Sequence, residues 1–145
     1  MPETDLYEKD YYAWANETAE AIRLGDFGRI DAIALADEVA DMARKEKRSL
    51  ESRLEILIGH LLKWDYQDKK RTHSWAATVA VQRNRVMKLL KDSPSLTPWL
   101  TANLPAIYEA AVLLAVRDTN QRKDTFPSTC PYTFDEILSL KRVDI

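Results

Sequence analysis

The sequence predicts an all-α fold, and three observations lead to this prediction. The 145 residues include only three glycines (Gly25, Gly28 and Gly59), which suits helices with short connections better than a sheet with many turns. In most segments apolar residues recur every three or four positions, the spacing of one helical face. No segment shows the sustained alternation of apolar and polar residues that is typical of a half-buried strand. A chain of this length is expected to form one domain, residues 1–145.

The first helix is predicted near residues 6–24. Thr4 or Asp5 is expected to cap its start, and Gly25 is placed where a helix commonly ends. Phe27, in the loop that follows, is expected to be buried in the core. The residues that recur at helical spacing in this segment are Tyr7, Tyr11, Trp14, Thr18, Ala21 and Ile22.

The second helical segment runs from Ala32 to Tyr66 behind a capping residue, Asp31, and contains no proline. One continuous helix would be about 50 Å long, which exceeds a domain of this size. A bend or a protruding stretch is therefore expected, and either would favour a second subunit. One face of this segment carries an apolar stripe that consists of Leu35, Val39, Met42, Leu50, Leu54, Leu57, Leu61 and Trp64. The charged residues 44–48 interrupt this stripe, so they are solvated or mark the bend.

Two further long helices are predicted in the second half of the chain. One covers about residues 75–91, with Thr72 or Ser74 as its cap. The next runs from Leu96 or Pro98 to about Asp118, with a kink or break near Ala102 because Pro105 lies inside it.

An extended tail, residues 126–132, is expected to pack over the bundle and close it. Thr133 and Glu136 then form a capping box for a short final helix, residues 134–140. The predicted architecture is a bundle of about five main helices plus this short one. Its predicted centre consists of Trp14, Leu57, Leu61, Trp64, Trp75 and Tyr108.

The net charge of −2 hides a strong segregation along the chain. The net charge is −8 for residues 1–43, +8 for residues 44–91 and −2 for residues 92–145. Acidic and basic segments that lie against each other would explain this pattern, and that interpretation is preferred. The alternative is a basic face that binds an anionic partner.

The sequence indicates a cytoplasmic protein without a membrane segment. No apolar run approaches the roughly 18 residues that cross a bilayer, and the acidic N-terminus lacks a signal-peptide pattern. Cys130 is the single cysteine, so neither an internal disulfide nor a cysteine metal cluster is expected. Its neighbours include no cation that would lower the thiol pKa, which favours a buried anchor for the tail over a nucleophile.

Several ordered motifs carry a family resemblance over nearly the whole chain, from Leu6 to Tyr132. Through them the chain resembles a bacterial family catalogued as domain of unknown function 29. One departure is Ala76-Ala77, where a charged residue followed by alanine is expected. The resemblance implies a compact all-helical fold and no assigned activity, and it carries over no catalytic residues. The main motifs are Glu51-Ser52-Arg53-Leu54, His60-Leu61-Leu62-Lys63-Trp64 with Tyr66, Ser74-Trp75, Gln82-Arg83, and Phe126-Pro127 with Cys130-Pro131-Tyr132.

Arg53 and His60 are the candidate catalytic residues. They share a helical face with Leu57 and Trp64. Helical ribonucleases that fold as paired four-helix toxins use a similar Arg-to-His spacing, in which imidazole transfers protons and guanidinium stabilises the phosphorane. That class also requires a polar residue directly after the arginine, where this chain has Leu54. The alternative, which is preferred, is that His60 is a core-edge histidine hydrogen-bonded to a carboxylate and that Arg53 pairs with an acid of the first helix.

A second candidate constellation combines basic and aromatic residues. Cations interleaved with aromatic rings can bind a phosphate backbone and stack on bases. However, Trp64 and Trp75 lie on apolar stripes, and the pI of about 5.7 argues against a dedicated nucleic-acid binder. The candidate nucleic-acid-binding residues are Lys69, Lys70, Arg71, Arg83, Arg85 and Lys88.

No metal or other cofactor is predicted. Asp37 and Asp41 share a helical face and could ligate a divalent cation with His60 or Asp31. The preferred interpretation is a solvated face, or one that pairs with Arg44 and Lys45. The Glu-x-x-His repeats of a di-iron bundle do not occur in the sequence.

The leading functional hypothesis is a non-enzymatic protein-interaction or regulatory module that forms a homo-oligomer. It rests on the missing catalytic signature, the charge segregation and the long second helix. The alternative is an RNA-directed helical nuclease, or a nucleic-acid-binding toxin component, that uses Arg53, His60 and the basic residues of 63–91. The sequence identifies neither a substrate nor a partner.

Overall fold

The computed structural model describes residues 4–139, which form an all-α fold with no strand among them. The predicted fold class is therefore confirmed. Four of the six described helices are long, and the segment Ala32–Tyr66 forms one of them without interruption. The α-helices are α1 (Thr4–Lys9), α2 (Tyr11–Arg23), α3 (Ala32–Tyr66), α4 (His73–Asp92), α5 (Leu96–Thr119) and α6 (Phe134–Ser139). Short 3-10 turns lie at Phe27–Arg29, Asp68–Lys70 and Lys123–Thr125.

The chain divides into two compact units, called unit 1 (residues 1–45) and unit 2 (residues 46–145). The boundary falls within the charged stretch 44–48, where the apolar stripe of α3 is interrupted. α3 itself is one helix of 35 residues that crosses this boundary. Its start is capped as predicted, because the Asp31 carboxylate accepts the Ala34 N–H at 3.2 Å.

The segment predicted as one helix at 6–24 is two helices. Asp10 leaves the helical conformation, and its carboxylate accepts the Ala13 N–H at 3.0 Å, which caps α2. Thr4 and Asp5, the predicted caps, lie inside α1 instead.

The end of α2 is a Schellman motif centred on Gly25. Gly25 has φ +72°, and its N–H donates to the Ile22 carbonyl at 3.1 Å. The Asp26 N–H donates to the Ala21 carbonyl at 2.9 Å, which completes the motif. Phe27, predicted as a core residue, is 68% exposed in the turn that follows, so that prediction is wrong.

The core of unit 2 is built from the second part of α3 together with α4, α5, the tail and α6. Leu50, Leu54, Leu57 and Leu61 are fully buried there, as their spacing predicted. Trp64 and Trp75, also placed in the predicted centre, are only half-buried. Trp14 is buried within unit 1 and takes no part in this core.

α4 begins at His73 behind Thr72, whose hydroxyl accepts the Trp75 N–H at 3.1 Å. α5 runs unbroken past Pro105, so of the kink or break expected near Ala102 the break does not occur. Pro105 and Thr101 both lie on the exposed side of α5. Water can therefore satisfy the Thr101 carbonyl, which loses its usual donor four residues later.

α5 is long and apolar enough, by length and composition alone, to cross a membrane. The expectation that no segment reaches this threshold is wrong for this helix. Leu100, Ile107, Ala111 and Ala115 on α5 are buried in the core of unit 2. A core helix of a globular domain meets the same criterion, because its packed face is as apolar as a bilayer-facing one.

The tail packs on unit 2 through two buried aromatic side chains, Phe126 and Tyr132. The Tyr132 hydroxyl donates to Asp65 Oδ2 at 2.6 Å, and the Tyr108 hydroxyl donates to the Pro127 carbonyl at 2.6 Å. The capping box of α6 forms as predicted, with reciprocal Thr133–Glu136 bonds of 3.1 and 3.2 Å. The predicted last helical residue, Leu140, lies outside the described residues.

Candidate functional site

Unit 1 contains an apolar groove of about 280 Å³ between α2 and the first part of α3. This feature is called the hairpin groove below. The lining residues are spaced three or four apart on each helix, so each wall is a single helical face. From α2 they are Tyr11, Trp14, Ala15, Thr18, Ala19 and Ile22, and from α3 they are Leu35, Glu38, Val39, Met42 and Lys45.

The walls of the hairpin groove leave large apolar side chains in contact with solvent. Val39 is 57% exposed, Met42 66% and Ile22 43%. Trp14, by contrast, is only 6% exposed. Val39 and Met42 both lie on the predicted apolar stripe of α3, but neither is buried. Their helical spacing is real, but within unit 1 the face that they form lines an open groove.

An aromatic and carboxylate cluster holds one end of the hairpin groove. The rings of Tyr7 and Trp14 lie 4.6 Å apart between centroids, and those of Tyr11 and Trp14 lie 5.9 Å apart. The Tyr11 hydroxyl donates to Glu38 Oε2 at 2.5 Å, and the Tyr7 hydroxyl donates to Oε1 of the same carboxylate. The cluster therefore ties α1 and α2 to α3 and fixes the separation of the walls.

The same hydrogen bonds set the charge state of this cluster. The hydroxyls of Tyr11 and Tyr7 lower the pKa of Glu38, so its carboxylate is ionised at neutral pH. In turn, the bond to Glu38 raises the pKa of Tyr7 to about 12 and also raises the pKa of Tyr11. Both hydroxyls thus remain protonated donors, and the groove keeps a fixed negative charge at this wall.

The predicted catalytic residues Arg53 and His60 engage different partners, and the carboxylate partners expected for them in the preferred alternative are wrong among the described residues. Arg53 donates to Ser49 Oγ and to Gln82 Oε1, each at 3.3 Å. It lines an open cleft of about 350 Å³. The His60 imidazole is half-buried and bonds the Ile56 carbonyl through Nδ1 at 3.0 Å.

His60 belongs to a network that the sequence did not reveal. Its Nδ1 carries the proton because a carbonyl can only accept, so Nε2 accepts from Lys63 Nζ at 3.4 Å. Burial and the Lys63 cation both lower the pKa of His60, which favours the neutral ring. Lys63 is only 5% exposed, lies 4.8 Å from the centre of the Trp75 ring, and pairs with Asp118 Oδ2 at 3.2 Å.

The basic residues of 63–91 do not form one continuous patch. Arg71 donates to the Trp64 carbonyl at 2.8 Å and lies over the Trp64 ring, so it closes the end of α3. Arg85 and Lys88 lie near the other end of α4, beside Arg53, in a cleft that also contains acidic side chains. Arg71 and Lys88 are separated by about 25 Å of helix. Of the remaining candidates, Lys69 and Lys70 are exposed in the turn before α4, and burial lowers the pKa of the half-buried Arg83.

The acidic residues of α3 have local partners within unit 1. Asp41 pairs with Arg44, whose Nε lies 3.0 Å from Asp41 Oδ1, as the solvated-face interpretation predicted. Glu38 accepts the two tyrosine hydroxyls. Within residues 4–139 no group of three metal-ligating side chains converges.

A second cleft, of about 590 Å³, lies in unit 2 against the tail. Tyr108, Phe126 and Pro127 supply its apolar wall, and Lys123 and Asp124 stand at its edge. Cys130 lies nearby in the tail, and its thiol donates to the Tyr132 carbonyl at 3.4 Å. Burial raises the pKa of Cys130, which is consistent with an anchoring role rather than a nucleophilic one.

Sequence reasoning missed two features, for different reasons. The hairpin groove was visible as helical periodicity, but periodicity does not distinguish a core face from a recognition face. The Lys63–Asp118 pair joins residues 55 positions apart on different helices, and no local pattern signals it.

Comparison with known proteins identifies a family but no activity. No curated protein and no solved structure matches the chain. The family described as Domain of unknown function DUF29 matches residues 6–142, nearly the whole length. The chain therefore belongs to the DUF29 family, whose function is unknown.

Proposed function

We propose that this protein is a non-enzymatic interaction module whose hairpin groove binds an amphipathic helix of a partner protein. The observation that supports this proposal is the exposure of Ile22, Val39 and Met42 along one groove. Single exposed apolar side chains are common on soluble proteins, but a contiguous exposed set marks an interaction surface.

The dimensions of the hairpin groove suit a helix. Its α3 wall extends from Leu35 to Lys45, which is about 15 Å of helix. A partner helix of about ten residues, three turns long, would cover that length. In this mode of recognition, apolar side chains at i, i+3, i+4 and i+7 enter the groove while the opposite face stays in water.

The walls of the groove are held before a partner arrives. Tyr7 and Tyr11 both bond to Glu38, and Trp14 packs against both rings. A preformed groove lowers the ordering cost of binding, which leaves more of the apolar burial as net affinity.

The nuclease alternative gains no support from the placement of its residues. Its mechanism needs the imidazole and the guanidinium to converge on one phosphate. His60 is held by Ile56 and Lys63, whereas Arg53 is held by Ser49 and Gln82.

Site-specific photo-crosslinking in native cells tests the proposal. A benzophenone amino acid is placed at Val39, inside the groove, and in a matched variant at Ile33, which is 79% exposed on the same helix but outside the groove. The proposal expects a crosslink from position 39 to a helical segment of another protein, and none from position 33. A crosslink to a second copy of this chain, equal products from both positions, or no product would overturn it.

A further inference from the structure

We infer that the helix bound in the hairpin groove is basic, with lysine or arginine residues flanking its apolar face. This inference rests on the proposed function and names the chemistry of the partner. Its basis is the charge of unit 1 around an apolar groove.

Unit 1 is strongly acidic. Its 45 residues include eleven acidic and five basic residues, a balance of −6. The acids of the two groove helices include exposed positions on α2, Glu17 and Glu20, and on α3, Asp37. Glu38 lines the groove directly and is ionised.

The cations of unit 1 compensate this charge only in part. Arg23 lies 3.8 Å from Glu20, Arg29 lies 3.6 Å from Asp26, and Arg44 pairs with Asp41. These are exposed pairs one turn apart, and such pairs are weak and readily exchanged for a partner's charges. Lys45, at one end of the groove, is the single cation among its lining residues. Glu38 is the acidic side chain within the groove, and the net charge of −6 on unit 1 as a whole favours a helix with cations on its flanks.

Charge argues against a second copy of unit 1 as the occupant. Contact between two groove faces would bring together two units that each have a net charge of −6, and like charges across an interface suppress association.

Unit 2 of a second copy has the opposite charge but lacks a suitable helix. Its balance is +4, so the sign is complementary. Its exposed large apolar side chains are Tyr66 on α3, Val81 and Met87 on α4, and Leu113 on α5. Within residues 46–139 no helix carries two of them at helical i, i+3 or i+4 spacing. A groove ligand needs that stripe, so another protein is the better match.

The test compares two synthetic helices with identical apolar faces. Each peptide is about fourteen residues long with leucines at i, i+3, i+4 and i+7. One carries lysines and the other glutamates at the remaining positions. Isothermal titration against the full-length protein is expected to show at least about tenfold tighter binding of the lysine peptide at low salt. The difference should shrink at about 1 M salt, where the Debye length falls to about 3 Å.

Paired variants assign the charge effect to unit 1. Glu17→Gln with Asp37→Asn removes two exposed carboxylates on α2 and α3 of unit 1, and Glu109→Gln with Asp124→Asn removes two in unit 2. The unit 1 double variant is expected to bind the lysine peptide several-fold more weakly. The unit 2 double variant is expected to bind it with unchanged affinity. Circular dichroism confirms that each variant is folded.

The outcomes separate this inference from the proposed function. Equal affinity for both peptides, lost in a Val39→Glu variant but kept in Ile33→Glu, would overturn the basic partner while the groove remains a docking site. An equal loss of affinity for the lysine peptide in the two double variants would also overturn it, because the effect would then reflect the net charge of the whole protein alone. Binding of neither peptide, or binding unaffected by Val39→Glu, would overturn the proposed function as well.

Discussion

Units 1 and 2 use similar helices in opposite ways. Unit 2 packs its apolar stripes into a core, in which Leu54, Leu57 and Ile107 are at most 2% exposed. In unit 1, Ile22, Val39 and Met42 are between 43% and 66% exposed. Periodic apolar residues thus contribute to stability in one unit and remain available for recognition in the other. The difference teaches that an amphipathic face indicates that a contact is made there. Only the tertiary structure shows whether the rest of the same unit makes that contact.

The largest expected effect comes from truncating matched residues of the two units. Leu54→Ala in unit 2 removes fully buried methyl groups and leaves a cavity, so it is expected to lower the free energy of unfolding by about 2–5 kcal/mol. Met42→Ala in unit 1 removes a side chain that is mostly in water, so its expected cost is within about 0.5 kcal/mol. Urea unfolding followed by circular dichroism measures both. Similar costs for the two variants would break the comparison.

The next effect concerns the buried ion pair of unit 2. Asp118→Asn removes the carboxylate partner of Lys63, which is 5% exposed and would be left without its counter-charge. The expected loss of stability is about 2 kcal/mol, below the range for fully buried pairs because the Asp118 side chain is 31% exposed. Urea unfolding of Asp118→Asn, Lys63→Met and the double variant gives the interaction free energy between the two side chains. Additive costs would show that the two residues are not paired in solution.

The same pair predicts a loss of stability in acid. Burial opposes the ionisation of Asp118, but hydrogen bonds from Arg117 and Lys63 outweigh it and hold its pKa below the usual value. A depressed folded-state pKa contributes stability that is present above the unfolded pKa of about 3.9 and is lost as pH falls through the folded value. The unfolding free energy of the wild type should therefore fall more steeply below about pH 4 than that of Asp118→Asn. Parallel profiles would contradict this assignment.

A backbone effect in unit 1 should be smaller. A Cβ at Gly25 would meet nothing within 4 Å, so Gly25→Ala tests only the positive φ of +72°. The expected cost is about 1 kcal/mol, because an L-residue is disfavoured in this conformation. Thermal unfolding measures it, and Gly28→Ala, which has open space and no positive φ, is the control. Equal values for the two variants would mean that the end of α2 is not held in the Schellman motif.

The smallest effect is the titration of His60. Burial and Lys63 lower the pKa of its imidazole. Because the folded pKa of His60 is depressed, its stability contribution is present above the unfolded pKa of about 6.5 and decreases as pH falls through the folded value. NMR titration should show His60 protonating at lower pH in the folded protein than in the urea-unfolded chain. A Lys63→Met variant should reduce this difference, and equal titration in the folded and unfolded states would contradict the assignment.

Local signals in the sequence were reliable where short-range chemistry decides. Gly25 ends α2, Asp31 and Thr72 cap their helices, and the box of Thr133 with Glu136 starts α6. Each of these features depends on residues within five positions of one another. The split at Asp10 was missed because the aromatic spacing continues across it, although Asp10 itself is a favourable capping residue.

The candidate site was half visible in the sequence. The residues of the hairpin groove were recognised as two sets at helical spacing, but nothing in the sequence showed that the two sets line an open groove. Arg53 and His60 were recognised as one helical face, yet each found partners on its own turn or across on α4. Same-face spacing brings two side chains into one region, while hydrogen bonding to near neighbours sets where each one points.

Composition and periodicity were sufficient to establish the helical class, most helix limits and the segregation of charge. These properties follow from backbone propensities, caps and net charge, which act over a few residues or simply add up. Two other properties depended on long-range packing: which apolar faces are covered, and which charges are buried. Leu54 and Val39 have the same place in one repeating stripe of α3, but only Leu54 has helices α4 and α5 of its own unit to pack against.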